Sequence, residues 1–115
     1  MSNYNGYKTY NTWVVASVID AMPELLRTWI KRANEIYDEA EPDQFHSKQR
    51  IAKLKLASEL RKWLKAMNPL PESEGASEVF SELLEASLQD IDYDNLADIF
   101  LARYVEQYDY IQNII

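Results

Sequence analysis

The sequence predicts an all-α fold, a compact bundle of about five helices without a sheet. Three observations carry that expectation. Apolar residues recur at helical spacing in five stretches. Only 2 of the 115 residues are Gly and 4 are Pro, which leaves little material for β-hairpin turns. No run alternates apolar and polar residues over a strand's length. At this size one domain is expected over 1–115, with an arm at 1–9.

The first helix is expected to begin near Tyr10. Thr9 and Asn11 both suit an N-cap, because a short polar side chain can accept from the unpaired N–H groups of a first turn. Trp13, Val14, Ser17, Val18 and Ala21 then recur on one side, which is taken as the inward face. Tyr4 and Tyr7 are expected to fold back on that first turn. Pro23 ends this helix and opens the second, PELLRTWIKRANEIYDEA, with Leu25, Leu26, Trp29, Ile30, Ala33 and Ile36 or Tyr37 inward.

The third helix is read from about Gln44 to Met67. Ala52, Leu56, Leu60, Trp63 and Met67 form a narrow stripe, and Ile51 and Leu54 fall opposite it among basic residues. NPLPESEGAS, residues 68–77, is the clearest loop. Ser77 can cap the fourth helix, SEVFSELLEASLQ, and a DIDYDN link leads to a fifth helix from about Asn95 to Ile111. Leu96, Phe100, Tyr104 and Ile111 share a face of that helix, with Ala97, Leu101 and Tyr108 beside it.

Two of these stretches resemble a family. NGYKTYNTWVV carries Asn5, Gly6, Tyr7, Thr12, Trp13 and Val15. NPLPESEGASEVFSELLEASLQDIDYDNLADIF carries Asn68, Pro69, Leu70, Phe80, Leu83, Leu84, Leu88, Ile91, Tyr93 and Ala97. Together they are similar to an uncharacterised family of small proteins encoded by phages, plasmids and bacterial genomes. Its members read Asn-Gly-aromatic and Thr-Trp-x-Val at the start, and Asn-Pro-Leu, Leu-Leu and Asp-aromatic in the second half. Tyr93 departs mildly from that pattern, where Trp is frequent. The resemblance covers about half the chain. It implies a small helical fold and a mobile-element setting, and it brings no site residues with it.

Charge is unevenly spread. The net charge of −7 divides into zero over 1–22, −2 over 23–42, +5 over 43–71 and −10 over 72–115. Glu74, Glu78, Glu82 and Glu85 follow helical spacing, with Asp94, Asp98, Glu106 and Asp109 further on. Rows of carboxylates about 5–6 Å apart loosely resemble a phosphate backbone. One reading is an acidic face that docks a host protein with a basic surface. The other is a solvated face that maintains solubility.

The third helix carries Lys48, Arg50, Lys55, Arg61, Lys62 and Lys65. This arc, with Ile51 and Leu54, could contact nucleic acid, the chain's own acidic helices or those of a second copy. Compensation within or between copies is favoured, because a nucleic-acid-binding domain is usually basic overall. Ile51 and Leu54 are either exposed for a protein contact or covered by another helix.

Catalytic and metal chemistry find little support. There is no cysteine, His46 is the single histidine, and only Gly6 and Gly75 are available for a phosphate loop. Asp90, Asp92 and Asp94 match the first positions of a calcium loop, but Asn95 and Leu101 stand where Gly and Glu are required. Helix capping is the expected role of that link. No cofactor and no metal are expected. His46 is placed in the first turn of the third helix.

With no apolar signal core and no ~20-residue apolar run, a cytoplasmic protein is expected. The function expected is that of a non-enzymatic interaction protein inhibiting a host nucleic-acid-handling or defence protein, of anti-CRISPR or anti-restriction type. The alternatives are a homo-oligomeric scaffold or a nucleic-acid binder working through the third helix. For Asn5, Gly6, Tyr7, Thr12 and Trp13, a structural role is weighed against a recognition surface and preferred.

Overall fold

The computed structural model describes residues 4–66 and 75–108; side chains are described for 4–66 and 82–108. Among the described residues the fold is all-α and contains no strand. The helices are α1 (Tyr10–Ala21), α2 (Pro23–Glu39), α3 (Lys48–Ala66), α4 (Gly75–Gln89) and α5 (Tyr93–Tyr104).

The central element is α5, which packs against α1, α2 and α3, while α2 also packs against α1 and α3. Leu96, Ala97, Phe100 and Leu101 of α5 are all buried. Around them lie Ile19, Ala33, Ile36, Ala52, Leu56 and Leu60. Ala33, Ala52 and Ala97 are wholly enclosed, and small side chains at such points let helix backbones approach closely. Trp29 and Trp63 meet edge to face across α2 and α3 at 5.5 Å. Among the described residues α4 shares no comparable packing with the other four helices. Its Leu84 and Leu88 are half-buried and its Leu83 points outward.

Helix ends follow local chemistry where the cap is local. Thr9 caps α1, its hydroxyl accepting from the Thr12 N–H at 3.1 Å. Met22, in an extended conformation, separates α1 from α2, and Pro23 occupies the first turn of α2. Asp92 caps α5 by accepting from the Asn95 N–H at 2.9 Å, so capping is a role the DIDYDN link does fill.

Four expectations require correction. The start of α3 lies at Lys48 rather than Gln44, because Asp43 Oδ1 accepts from the N–H groups of both Phe45 and His46 and holds an exposed turn there. His46 therefore sits in this turn, outside the helix. The end of α5 lies at Tyr104 rather than Ile111. Asn34 donates to the Tyr104 carbonyl and the Tyr37 hydroxyl donates to the Gln107 carbonyl, so side chains of α2 arrest the helix. Two residues earlier than expected, at Gly75, α4 begins; residues 67–74, most of the expected loop, lie outside the described residues.

The fourth correction concerns α1. Its buried residues are Thr12, Ala16 and Ile19, not the expected stripe. Tyr10, Val18 and Ala21 are exposed and Val14 and Ser17 only half-buried, whereas Trp13, also half-buried, does pack against the core as expected. At 100° per residue, Thr12, Val15, Ala16 and Ile19 span roughly 100° of arc, and Tyr10, Val14, Ser17, Val18 and Ala21 a similar arc opposite.

Candidate interaction surfaces

The N-terminal stretch and the α4–α5 link, far apart in sequence, close on each other. The Lys8 N–H donates to Asn95 Oδ1 at 2.8 Å, and Asn11 donates to the Asp90 carboxylate at 2.9 Å. Thr9 Oγ1 donates to the Asp90 carbonyl at 3.0 Å, so its one hydrogen is committed. The 2.7 Å bond between the two threonine hydroxyls must then run from Thr12 to Thr9. Thr12 Oγ1 in turn accepts from the Asp92 N–H at 2.8 Å. A single chain of hydrogen bonds thus links the starts of α1 and α5. Asn5 and Gly6 take positive φ values of 57° and 93° to bring the arm over α5. Tyr7 is buried in the core, and burial pushes its hydroxyl pKa up. Tyr7 and Thr12 thereby belong to the packed interior, while Asn5 and Gly6 remain exposed.

Among the described residues the expected acidic face is interrupted. Glu82 and Glu85 are exposed on α4, and Asp94 is exposed on the first turn of α5. Asp98 is only 9% exposed and accepts from the Tyr108 hydroxyl, so it does not belong to an exterior face. Glu106 is exposed but lies in the turn after α5, beyond the other end of that helix from Asp94. Glu74, Asp109 and the side chain of Glu78 lie outside the described residues.

Of the basic arc, Arg50, Lys55, Arg61, Lys62 and Lys65 are exposed. Arg61 and Lys65 share a cleft of about 210 Å³ with Glu85, Leu88, Gln89, Ile91 and Tyr93, so the end of α3 faces acidic α4 within one chain. Lys55 lies 3.8 Å from Glu59. Glu59 also takes a two-pronged pair from Arg32 of α2, at 2.6 and 2.7 Å. That pair lowers the Glu59 pKa, and Arg32 is raised by it. The two apolar residues separate: Ile51 is half-buried on the core beside Ile36 and Ala40, as cover by another helix requires, whereas Leu54 is 40% exposed.

Two open clefts flank the start of α5. One, of about 590 Å³, is lined by Leu54, Ser58, Arg61 and the 89–94 segment. The other, of about 600 Å³, has Lys8, Arg50 and Lys53 facing Asp92, Asp94 and Asp98. In the first, the Tyr93 hydroxyl is buried without a hydrogen-bond partner, and burial raises its pKa. Among the described residues no three His, Asp or Glu side chains gather as a metal site, and no helix is long and apolar enough to cross a membrane.

Sequence reasoning missed Thr12 and Asn95 as the polar hub, and it missed the exposed side of α1. The signal for the hub was present in the paired Thr9 and Thr12 and in the Asp-rich link, but their pairing across 80 residues is a tertiary fact. No protein-family model, curated protein or solved structure matches the chain.

Proposed function

We propose that the chain is a non-catalytic interaction protein of mobile-element type, and that it engages a basic, nucleic-acid-handling host protein through the outer side of α4. The observation that carries this reading is the position of α4. Among the described residues it lacks the packing that joins the other four helices, and Glu82 and Leu83 are turned to solvent, Leu83 being 60% exposed. An apolar side chain beside a carboxylate suits a groove whose floor is apolar and whose rim is Lys- and Arg-rich. Occupying such a groove would exclude DNA or RNA from it, which is inhibition without chemistry. The resemblance to small phage and plasmid proteins supports the same setting, and a defence nuclease or CRISPR effector is the class of partner it favours. Nucleic-acid binding through α3 is the weaker alternative, because Glu85 already faces Arg61 and Lys65.

The test is a fluorescence-anisotropy competition. A labelled duplex is bound to purified restriction or CRISPR effector complexes, and the chain is titrated in. Displacement that weakens with salt and is lost in Glu82→Lys/Glu85→Lys, with helicity unchanged by circular dichroism, is the expected result. Equal displacement by the charge-reversed variant, or none with any effector, would sink the proposal.

A further inference from the structure

The outer side of α1 is the largest departure between pattern and fold, and it has a consequence independent of α4. Tyr10, Val18 and the cap residue Met22 are 56%, 48% and 49% exposed. Val14 and Trp13 are half-buried beside them, and Ser17 and Ala21 complete the face. A helix that is apolar on both sides calls for cover on both sides. The core covers Thr12, Ala16 and Ile19; among the described residues the opposite side stays open.

We infer that this face is the contact between two copies of the chain. Charge is the first reason. The molecule carries −7, so copies repel each other over most approaches. The α1 face carries no charge. Asp20, at its edge, is paired at 3.0 Å with Arg103 of α5, and Asn11, at the other edge, is bonded to Asp90. An uncharged face is poor at attracting the basic partner proposed for α4 and well suited to its own image.

Shape is the second reason. Tyr10, Val14, Val18 and Met22 fall at steps of four and form a ridge. Ser17 and Ala21, small and adjacent, form the groove beside it. A surface that carries both a ridge and its matching groove is self-complementary, as a two-fold contact requires. Two ridges of this i, i+4 kind interlock with the helices crossing at about −50°. Aromatic residues extend the face at one end, where Tyr10 meets Tyr4 edge to face at 6.1 Å and lies tilted against Trp13 at 5.7 Å. The face is built from a few residues of one helix, well short of the roughly 20–30 residues a side of a standard interface. The dimer is therefore concentration-dependent rather than permanent.

Sedimentation equilibrium tests this directly. The weight-average mass of the full chain should rise with concentration from 13.5 kDa towards twice that value. Val14→Glu/Val18→Glu, at positions outside the core, should hold the mass at one chain and weaken association at least 100-fold, with helicity retained. Leu83→Glu on α4 should leave association unchanged. Because the chain has no cysteine, Ser17→Cys provides a unique thiol close to the expected two-fold axis. A short bismaleimide should join two copies of Ser17→Cys and not of Ser58→Cys, whose site lies on α3. A one-chain mass at every concentration overturns the inference. So does a dimer that survives Val14→Glu/Val18→Glu, or one that Leu83→Glu abolishes.

Discussion

Replacing Thr12 by Val separates two accounts of the N-terminal stretch. If Thr12 only fills space, Val is its isostere and the change is nearly neutral. If its hydroxyl joins α1 to α5, the change is costly. Thr12 is fully buried and its Oγ1 is the acceptor for the Asp92 N–H at 2.8 Å. Leaving that N–H without a partner costs about 1–3 kcal/mol. The bond donated to Thr9 is also lost, at about 0.5–1.5 kcal/mol net. The extra apolar group of Val returns about 0.8 kcal/mol. Both residues are β-branched, so helix propensity scarcely changes. The net cost is about 2 kcal/mol, which corresponds to a fall in Tm of roughly 8 °C for a domain of this size.

Thr12→Ser is the necessary counterpart. It keeps the hydroxyl and removes one methyl, at about 1 kcal/mol. Urea denaturation followed at 222 nm should rank the proteins wild type, Thr12→Ser, Thr12→Val in falling stability. The reverse order of the two variants would refute the hydrogen-bonded link and leave only packing. Thr9→Ala should cost about 1 kcal/mol alone. Combined with Thr12→Val it should cost less than the sum, since both act on one chain of bonds.

Gly6→Ala should destabilise by about 1–2 kcal/mol in the same assay, from its positive φ alone. The added Cβ would meet nothing closer than Ile99 Cδ1 at 3.8 Å, so a neutral result would show that the arm relaxes freely. Glu59→Gln should cost about 1 kcal/mol at neutral pH, a figure held down by the partial exposure of both partners in its pair with Arg32. The folded-state pKa of Glu59 is depressed, so its contribution is complete above the ordinary carboxylate range and fades as pH falls through the folded value. Wild type and Glu59→Gln should therefore converge in acid, and a gap that widens there would contradict the assignment. Phe45→Ser, at a 78% exposed position in the turn before α3, should change stability by less than about 0.5 kcal/mol in urea denaturation.

The helices were legible where their signals are local. Thr9, Pro23 and Asp92 mark helix starts by chemistry that acts within a turn. The ends that were misplaced are set from a distance or by competition. Nothing within 105–111 forbids a helix; Asn34 and Tyr37, some 70 residues earlier, take up the carbonyls that end it. Asp43 outbids the periodicity of the next few residues by offering its carboxylate to two N–H groups. On α1 the failure was of phase. Both sides are apolar, so spacing alone had two solutions. The larger residues favoured one, while close packing on α5 and the Thr12 hydroxyl selected the other.

Charge was legible as a sum and illegible as a surface. Three of the aspartates in the acidic third are hydrogen-bonded within the chain: Asp90 to Asn11, Asp92 to the α5 cap, Asp98 to Tyr108. Glu85 faces Arg61 and Lys65 across a cleft. What remains outward on α4, within its described side chains, is the adjacent pair Glu82 and Leu83 rather than a long negative track. Docking through it should then combine apolar and ionic contributions. In the competition assay, Leu83→Ser should weaken displacement at every salt concentration without changing its salt dependence. Reversing Glu82 and Glu85 should abolish displacement altogether. If displacement instead fell with salt as steeply as ten charges would require, the binding surface would have to be larger than α4 presents. The proposal for this helix would then fail even though the protein inhibited its target.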